Sequence, residues 1–454
     1  MKNGLFVAAV LVAMVVRAAT GAAAGFQPYI VNGTTTTAYP SAGALLMYTD
    51  ATHSALAGLC SGTLIGCRTF LTAAHCLCSD LSDSFATCQR DGIVDPATLR
   101  VFFQHAGFFD VVAADIDPDY VFAERGDVAL LTLADAVTGI APSALNLSAE
   151  PGLGSRGTIV GFGTTLDGRS GTNDDGIKRQ GTVLTSTCTT GIPDATHICW
   201  QFTGVDANTC GGDSGGPLFL DMGNGPVVAG VTSGGNSSNC GPPDVGFDSD
   251  VFVNQAWLES QGGTDLGSTS CGLPAVGSDR APVVADTGQL TTATRAVHLT
   301  YTVPAATTML RVVLNGQLTD AQGNDNDVDL YVRAGSPPTT DVFDCSDRNP
   351  TAFGSCEFTA PAAGVWHVLV NAVRGTGKFQ VTVTSFAGAA TSCAGDCNGD
   401  GRVTIDELIA SVNVALGVAG LQECAAVDVN RDGAVTVDEL VAAVGSALNG
   451  CTAR

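Results

Sequence analysis

The sequence predicts a mainly β chain that ends in a small helical unit, and three observations carry this prediction. Between residues 30 and 270, short apolar alternations are punctuated by glycine. The 454 residues include 56 glycines and only 6% aromatic residues, a composition that suits turn-rich β structure. Residues 283–386 contain clean period-two alternation, which is typical of half-buried strands. After residue 393 the apolar spacing changes to steps of three and four, which indicates helices.

Length and charge restrict the classes of function. At roughly 100–200 residues per domain, the chain holds two to four domains. It carries 20 basic and 44 acidic residues, for a formal net charge of −24. This excess argues against nucleic acid or an anionic membrane surface as a partner, because both require clusters of Lys and Arg. With 45% hydrophobic and 14% charged residues, the chain can bury real cores.

The N-terminus has the form of a secretory signal. Lys2 supplies a positive start, Leu5 to Val16 is apolar, and Ala22 to Ala24 offers small residues for cleavage. The apolar run is too short for a membrane span, and no later segment has eighteen uninterrupted apolar residues. We therefore expect a secreted protein with no membrane span in the mature chain. In that setting the 16 cysteines favour disulfides over zinc binding.

Changes in composition and in the spacing of apolar residues divide the chain into six segments. They are a signal peptide at 1–24, a short propeptide at 25–29, a first domain at 30–271, a linker at 272–282, a β-sandwich at 283–386 and a helical unit at 393–454. The linker contains glycine and proline. Alternating strands around Val328, Trp366 and Val381 place the sandwich.

Three short stretches of the first domain carry side chains that could act together, and they are Leu71–Cys76, Gly126–Leu131 and Cys210–Pro217. A serine hydroxyl such as that of Ser214 is a poor nucleophile until a base takes its proton. The imidazole of His75 titrates near neutrality and can do so. A carboxylate in an apolar strand, Asp127, would fix the imidazole tautomer. Glycines around Ser214 allow backbone N–H groups to converge on an oxyanion.

An esterase of the α/β-hydrolase type is one alternative, because Gly212 to Gly216 also fits the Gly-x-Ser-x-Gly pattern. That fold places its catalytic residues in the order Ser, acid, His. Here the order is His75, Asp127, Ser214, and no alternation of strands and helices is present. Chain order therefore disfavours the esterase.

These motifs resemble those of the trypsin- and chymotrypsin-like serine proteases, over residues 30 to about 260. The resemblance implies two six-stranded antiparallel β-barrels. It assigns His75 as general base, Asp127 as its orienting acid and Ser214 as nucleophile, with the N–H groups of Gly212 and Ser214 as the oxyanion hole.

The resemblance also implies a zymogen. Ile30 to Gly33 looks like the N-terminus that such enzymes acquire by cleavage, and the freed amino group of Ile30 would then pair with Asp213. Tyr29 departs from the Arg or Lys usual before that bond, so a trypsin-like activator is not expected. Self-cleavage, another protease and signal processing remain open.

Specificity residues follow from the same motifs, namely Asn208 at the pocket floor, Ser233 and Gly235 on the substrate-backbone strand, and Gly235 and Gly246 at the pocket walls. An asparagine floor predicts no strong preference for Arg or Lys. Asp248 either restores negative charge to the pocket or is a turn residue.

The resemblance also implies the disulfides Cys60–Cys76, Cys188–Cys199 and Cys210–Cys240. Further candidates are Cys78–Cys88 and Cys67–Cys271.

The sandwich resembles the bacterial pre-peptidase C-terminal domain, through Asp327 to Val332 and Gly364 to Val368, and a Cys345–Cys356 disulfide is expected. Asp325, Asp327 and Asp329 are read as a solvated strand end in preference to a calcium site.

The helical unit contains an internal repeat with an offset of 32 residues, and each copy fits a calcium-binding loop. The candidate ligands are Asp396, Asn398, Asp400, Arg402 and Glu407, then Asp428, Asn430, Asp432, Ala434 and Glu439, with Arg402 and Ala434 acting through their carbonyls. Two Ca²⁺ ions are therefore expected. The apolar stripes beginning at Ile405 and Val437 are expected to pack on each other. The unit resembles an EF-hand pair and is similar to a dockerin, although Glu407 and Glu439 replace the usual Asp.

We conclude from the sequence that the chain is a secreted serine endopeptidase acting on proteins or peptides, with no cofactor needed for catalysis. A docking partner for the C-terminal unit is possible. The alternative is a catalytically silent binding or docking protein with a protease fold.

Overall fold

A computed structural model describes residues 30–78, 83–165, 174–387, 394–397, 402–429 and 433–449. The predicted signal peptide (1–24) and propeptide (25–29) lie outside the described residues. Within the part of the chain that is described, no helix is both long and apolar enough to cross a bilayer.

The first barrel consists of six antiparallel strands closed in the order β2-β3-β4-β7-β6-β5. The first seven strands are β1 (Thr34–Thr35), β2 (Ala42–Tyr48), β3 (Leu56–Leu64), β4 (Thr69–Thr72), β5 (Leu99–Phe103), β6 (Gly107–Ile116) and β7 (Ala129–Leu133). Leu45, Phe70 and Leu131 are fully buried in its core. Helix α1 (Phe85–Asp91) and the 3-10 helices Ala74–Leu77 and Pro96–Thr98 lie in its loops.

A second six-stranded barrel follows. Its strands are β8 (Arg156–Gly161), β9 (Arg179–Ser186), β10 (His197–Phe202), β11 (Pro217–Asp221), β12 (Pro226–Gly235) and β13 (Asp244–Asp250). They run β9-β10-β13-β12-β11-β8, the β8–β9 pairing closes the ring, and β1 adds to β9. Trp200 and Ile30 are buried together in its core. Helix α2 (Gln255–Gly262) and the 3-10 helix Gly263–Gly267 come next. The predicted mainly β fold with two barrels is confirmed.

A sandwich of two four-stranded antiparallel sheets comes after the barrels, ordered β14-β21-β16-β19 and β15-β20-β17-β18. The strands are β14 (Val283–Leu290), β15 (Ala296–Val303), β16 (Thr307–Gly316), β17 (Asp327–Ala334), β18 (Cys345–Asp347), β19 (Phe353–Thr359), β20 (Gly364–Arg374) and β21 (Gly377–Ala387). The alternating residues Val328, Leu330 and Val332 all contribute to its core, as period-two strands require.

The sandwich packs directly on the first barrel and on Phe162, which follows the first strand of the second barrel. One apolar cluster joins the domains and contains Ala44, Leu46, Tyr48, Phe102 and Phe162 with Val313, Leu318 and Phe353 of the sandwich. The rings of Phe102 and Phe353 lie 4.5 Å apart. The linker also packs, since Ala281 is fully buried. The sandwich therefore keeps a core of its own and shares an apolar interface with the barrels.

The helical unit contains α3 (Ile405–Ala415) and α4 (Val437–Asn449), with 3-10 helices Leu421–Glu423 and Ala425–Val427 between them. Its small core includes Leu408, Val414, Leu440 and Ala443. The expectation that the apolar stripes pack on each other is wrong for most of their members. Ile405, Ile409, Val412, Leu416, Val437, Val441, Val444 and Leu448 are exposed, because the core forms on a different helix face through Leu408, Ala410, Val414, Leu440 and Ala443.

Seven disulfides join the 14 cysteines within the described residues, and no described cysteine is free. They include each pairing expected from the sequence, namely Cys60–Cys76, Cys188–Cys199, Cys210–Cys240, Cys345–Cys356, Cys78–Cys88 and Cys67–Cys271. Cys397 pairs with Cys424, which the sequence left open. Cys393 and Cys451 lie outside the described residues.

Candidate active site

His75 and Asp127 meet between the barrels. His75 lies on the 3-10 helix Ala74–Leu77 directly after β4, and Asp127 directly precedes β7, the neighbour of β4. Nδ1 of His75 lies 2.8 Å from Asp127 Oδ2, and the backbone N–H of His75 donates to Oδ1 at 2.9 Å. The hydroxyl of Ser233 also donates to Oδ2. This network fixes the imidazole and leaves Nε2 for a proton transfer.

Burial and charge compete at this pair. Burial alone would lower the pKa of His75, but the adjacent charge and hydrogen bond of Asp127 outweigh it, so the pKa of His75 is raised. Burial alone would raise the pKa of Asp127, but the His75 charge and the hydrogen bonds from His75 and Ser233 lower it. Asp127 is fully buried, whereas 23% of the His75 side chain is exposed. The pair therefore holds a stable carboxylate beside a reachable base.

Ser214 lies in the tight turn that leads into β11 and lines an open pocket. The turn is held against β3, because the N–H of Ser61 donates to the Ser214 carbonyl at 2.7 Å. Gly215 has φ +82°, and a Cβ there would lie 2.2 Å from Thr72 Oγ1. Among the described residues no hydrogen bond joins Ser214 Oγ to His75 Nε2; such bonds are often long in ligand-free enzymes. The Cys76 sulfur lies within 4 Å of His75 Nε2 and of the Ser214 carbonyl.

Gly212 and Ser214 are the residues expected to form the oxyanion hole. Gly212 has φ +92°, a left-handed conformation suited to glycine, and its carbonyl accepts a hydrogen bond from Ser61 Oγ at 2.8 Å. In the described part of the chain, neither Gly212 N–H nor Ser214 N–H donates to a protein acceptor. Both N–H groups can therefore bind a developing negative charge.

Ile30 is an internal residue here and so has no α-amino group. The Asp213 carboxyl accepts hydrogen bonds from the N–H groups of Gly163, at 2.8 Å, and Cys210, at 2.9 Å. Burial raises the pKa of Asp213 to about 7 despite these two bonds. In this arrangement the ionised carboxylate lacks full compensation.

A pocket of about 130 Å³ opens beside Ser214, between the Cys210–Cys240 disulfide and β12. Of the four expected specificity residues only Gly235 lines it. Ser233 points to Asp127, and Gly246 is buried where a Cβ would lie 2.4 Å from the Trp200 ring. Asn208 is fully buried behind the wall, since its amide is held by Trp200, Cys240 and Asp244. Asn208 therefore does not line this pocket itself, and its assignment as the pocket floor stays a prediction.

Asp244 is the pocket residue that the sequence reasoning missed. It lines the pocket, and its carboxylate accepts hydrogen bonds from Asn208 Nδ2 at 2.7 Å and from the N–H of Ser237 at 2.8 Å. Asp248, the acid considered from the sequence, is fully buried against Gly230, and burial raises its pKa well above its usual value. The pocket's negative charge comes from Asp244. The pairing of β10 with β13 sets Asp244 opposite Phe202, and Asn208 reaches Asp244 from 36 positions earlier in the chain.

Comparison with known proteins agrees with this geometry. The trypsin family profile matches residues 30–258. Brachyurin from Leptuca pugilator is 32% identical over 215 residues, which cover 45% of this chain and 88% of brachyurin. The chain belongs to the trypsin family. It is a serine-type endopeptidase, and proteins are its substrates.

Two further relatives of this trypsin-family chain match at similar levels. Kallikrein 1-related peptidase b11 from Mus musculus is 29% identical over 41% of the chain and 73% of its own length. The thrombin-like enzyme acutin from Deinagkistrodon acutus is 29% identical over 45% and 87%. The bacterial pre-peptidase C-terminal domain profile matches residues 299–372, within the sandwich.

The calcium loops are described in part. Asp396, Glu407, Asp428 and Glu439, the first and twelfth positions of the two loops, are all at least 94% buried. Glu439 accepts hydrogen bonds from the N–H groups of Val429 and Thr436 at 2.9 Å, which places it across its loop from Asp428. Arg402 and Ala434 are described; Asn398, Asp400, Asn430 and Asp432 lie outside the described residues. Buried carboxylates at both ends of each loop fit a hard cation.

Proposed function

We propose that this endopeptidase cleaves by a Ser214–His75–Asp127 triad, and the observation that carries the proposal is the double hydrogen bond from His75 to the buried Asp127. Ser214 Oγ attacks the scissile carbonyl while His75 Nε2 takes its proton, and the N–H groups of Gly212 and Ser214 bind the oxyanion. His75 then gives the proton to the leaving amine, and water releases the acyl group from Ser214 by the reverse steps.

Hydrolysis of peptides by a chain that begins at Ile30 tests this proposal. Native protein is expected to cleave a mixed peptide library, and Ser214→Ala is expected to lose at least about 10³-fold in kcat/KM. Ser260→Ala, an exposed serine on α2, is the matched control and keeps full activity. Equal rates for Ser214→Ala and native protein would contradict the triad. An inactive native protein would favour the silent binding protein.

We propose further that the pocket accepts Arg and Lys before the scissile bond, although an asparagine floor predicted no strong preference for them. The support is Asp244, whose carboxylate lines a pocket that also reaches Ser214. A cation brought beside a carboxylate in a partly desolvated pocket gains more than it would in water. Gly234 and Gly235 pair only with β13, because the β11 pairing stops at Val231, so their other edge is open to the substrate backbone.

Activation by cleavage before Ile30 is a third part of the proposal. The Arg179 charge already acts on the buried Asp213 carboxylate without offsetting its burial, and a new amino group at Ile30 would add a second positive charge that lowers the raised pKa of Asp213. Comparing a chain that retains residues 25–29 with one that begins at Ile30 tests this. We expect the shorter chain to be at least about tenfold more active. Equal activity would contradict the zymogen.

Secretion and calcium binding complete the proposed function. The seven disulfides support an oxidising destination, and they agree with the signal sequence at the N-terminus. The four buried loop carboxylates support two Ca²⁺ ions that stabilise the helical unit and take no part in cleavage. A docking partner for this unit has no further support.

A further inference from the structure

We propose that the sandwich and the first barrel together form a binding site for the part of the substrate that follows the scissile bond. The site would take an extended polypeptide with polar and preferably basic side chains after the cleaved bond. This inference rests on the proposed function, because it adds a second contact region for the same peptide substrate.

A cavity of about 230 Å³ lies between the two domains. One wall is residues 54–59 at the start of β3, and the other comes from the sandwich, including Thr319, Asn326 and Arg374. Neither domain could form this cavity alone.

The barrel wall of the cavity leads directly to the nucleophile. Leu59 lines the cavity, and its Cδ2 lies 3.2 Å from where a Cβ on Gly212 would stand. Two residues further along β3, Ser61 donates from its N–H to the Ser214 carbonyl and from its hydroxyl to the Gly212 carbonyl. One strand therefore carries both the cavity wall and the support of the proposed oxyanion hole.

The cavity and the specificity pocket reach this turn through different residues. The pocket is lined by residues 209–211, by β12 and by the loop after β12 that contains Cys240. It shares no lining residue with the cavity. The substrate residue before the scissile bond occupies the pocket, so the chain after the bond must leave the nucleophile on the other side. We infer that Leu59 and the cavity lie on that side, because the cavity wall reaches Gly212 through Leu59 and includes none of the pocket residues.

The sandwich wall is rigid enough to serve as a subsite. The N–H of Leu318 donates to the Asp175 carbonyl at 3.0 Å, which fixes the sandwich to the barrel at the cavity edge. The Asn326 amide donates to the carbonyls of Gln317 and Thr376 at 2.8 and 3.1 Å. A site that is already ordered costs little to occupy.

The lining charges decide the preferred side chains. Of the lining residues Asp175 and Asp325 are acidic and Arg374 is basic, and Asp175 also interacts electrostatically with the buried Arg179. The Arg374 side chain binds within the sandwich, since its Nε donates to the backbone carbonyl of Asp325 at 3.1 Å. The net negative lining favours Lys or Arg over Asp or Glu in the departing segment.

The test compares two peptides that share the residues before the scissile bond. The shorter peptide has one residue after the scissile bond and ends there in an amide. The longer peptide continues after the scissile bond for four residues that include Lys. For the native full chain begun at Ile30, kcat/KM for the longer peptide should be about tenfold higher. Ala57→Trp, which fills the cavity from its exposed barrel edge, should bring the ratio of the two values close to one.

Two additional variants make the comparison specific. Asp325→Asn should reduce the advantage of a Lys-containing over a Glu-containing departing segment. Arg348→Ala, at an exposed arginine of the same domain outside the cavity, should leave both ratios unchanged. A length preference that is the same in native protein and Ala57→Trp would overturn the proposal. Failure of native protein to cleave either peptide would instead contradict the proposed function.

Discussion

Asp127 controls the base at the residue scale. It is fully buried, and it receives the backbone N–H and the ring of His75 together with the Ser233 hydroxyl. A carboxylate with these donors stays ionised and stabilises the imidazolium that forms during attack. Because the pKa of His75 is raised, the base becomes neutral only at a higher pH than a free imidazole.

The pH dependence of cleavage follows from this shift. Since only neutral His75 accepts a proton, kcat/KM should rise with pH and level off above the His75 pKa, which lies above about 6.5. Asp127→Asn removes the charge that raises the pKa, so the rise should move to lower pH. Its kcat should fall about 10⁴-fold, the magnitude known for the equivalent substitution in a well-studied family member.

Asp119→Asn, at an exposed aspartate a few residues earlier, is the control for the pH measurement. It should reproduce the native rate and the native pH profile. A native profile whose acid limb lies well below pH 6, or one that Asp127→Asn leaves in place, would contradict the role given to Asp127.

Asp244 determines the charge of the specificity pocket. Asp244→Asn keeps an oxygen for the N–H of Ser237 but removes the charge that faces the pocket. We expect the ratio of kcat/KM for Arg over Phe before the scissile bond to fall about tenfold or more. Asp206→Asn, at an exposed aspartate outside the pocket, should keep the ratio. A ratio that both variants preserve would show that Asp244 does not select the substrate.

At the scale of elements, local spacing was informative wherever one strand or turn carries the function. The stretches around His75, Asp127 and Ser214 could be found from the sequence, because each motif lies within eight residues. Asp244 could not, since it lies 36 positions after Asn208 and only the folded chain brings their side chains into contact. The stripes of α3 and α4 were misplaced for a related reason. Spacing shows that residues share a face, but it does not show which face the partner helix covers.

Calcium removal tests the helical unit. Glu439 closes the second loop opposite Asp428, so Glu439→Gln should abolish one of two calcium-binding events in a calorimetric titration of the full chain. Glu423→Gln, at an exposed glutamate between the loops, should retain both. Chelation should lower the melting temperature of the helical unit while peptide cleavage continues. Two unchanged binding events in Glu439→Gln would contradict the assignment of its loop.

At the scale of the whole molecule, the sandwich is joined to the barrels by both apolar and polar contacts. Asn315 Nδ2 donates to the Gly176 carbonyl at 3.0 Å, and Arg311 donates to the Thr138 hydroxyl at 2.7 Å. Gly176 lies three residues before Arg179, whose guanidinium binds the Gly163 carbonyl at 2.9 Å. Gly163 in turn donates to Asp213. A connected path thus runs from the sandwich to the nucleophile turn. Alternation in the sequence predicted the sandwich, but this interface depends on residues far apart in the chain.

A substitution at the interface between the sandwich and the barrels should reduce peptide cleavage as well as the stability of the sandwich. Phe353 is fully buried against Phe102, so Phe353→Ala should cost about 3–5 kcal/mol of unfolding free energy and also reduce peptide cleavage. Val365→Ala, on an exposed face of the sandwich, should cost less than about 0.5 kcal/mol. Denaturant unfolding of the full chain, followed by activity and by tryptophan fluorescence, measures both. Loss of sandwich stability with native activity would contradict the coupling.

Covalent labelling by a fluorophosphonate probe tests the central claim most directly, because the probe reacts only with a serine that a neighbouring base activates. In a chain that begins at Ile30, peptide mapping should place the label on Ser214, and His75→Ala should remain unlabelled. An unlabelled native chain, or a label on a different serine, would contradict the account of this protein as a triad protease.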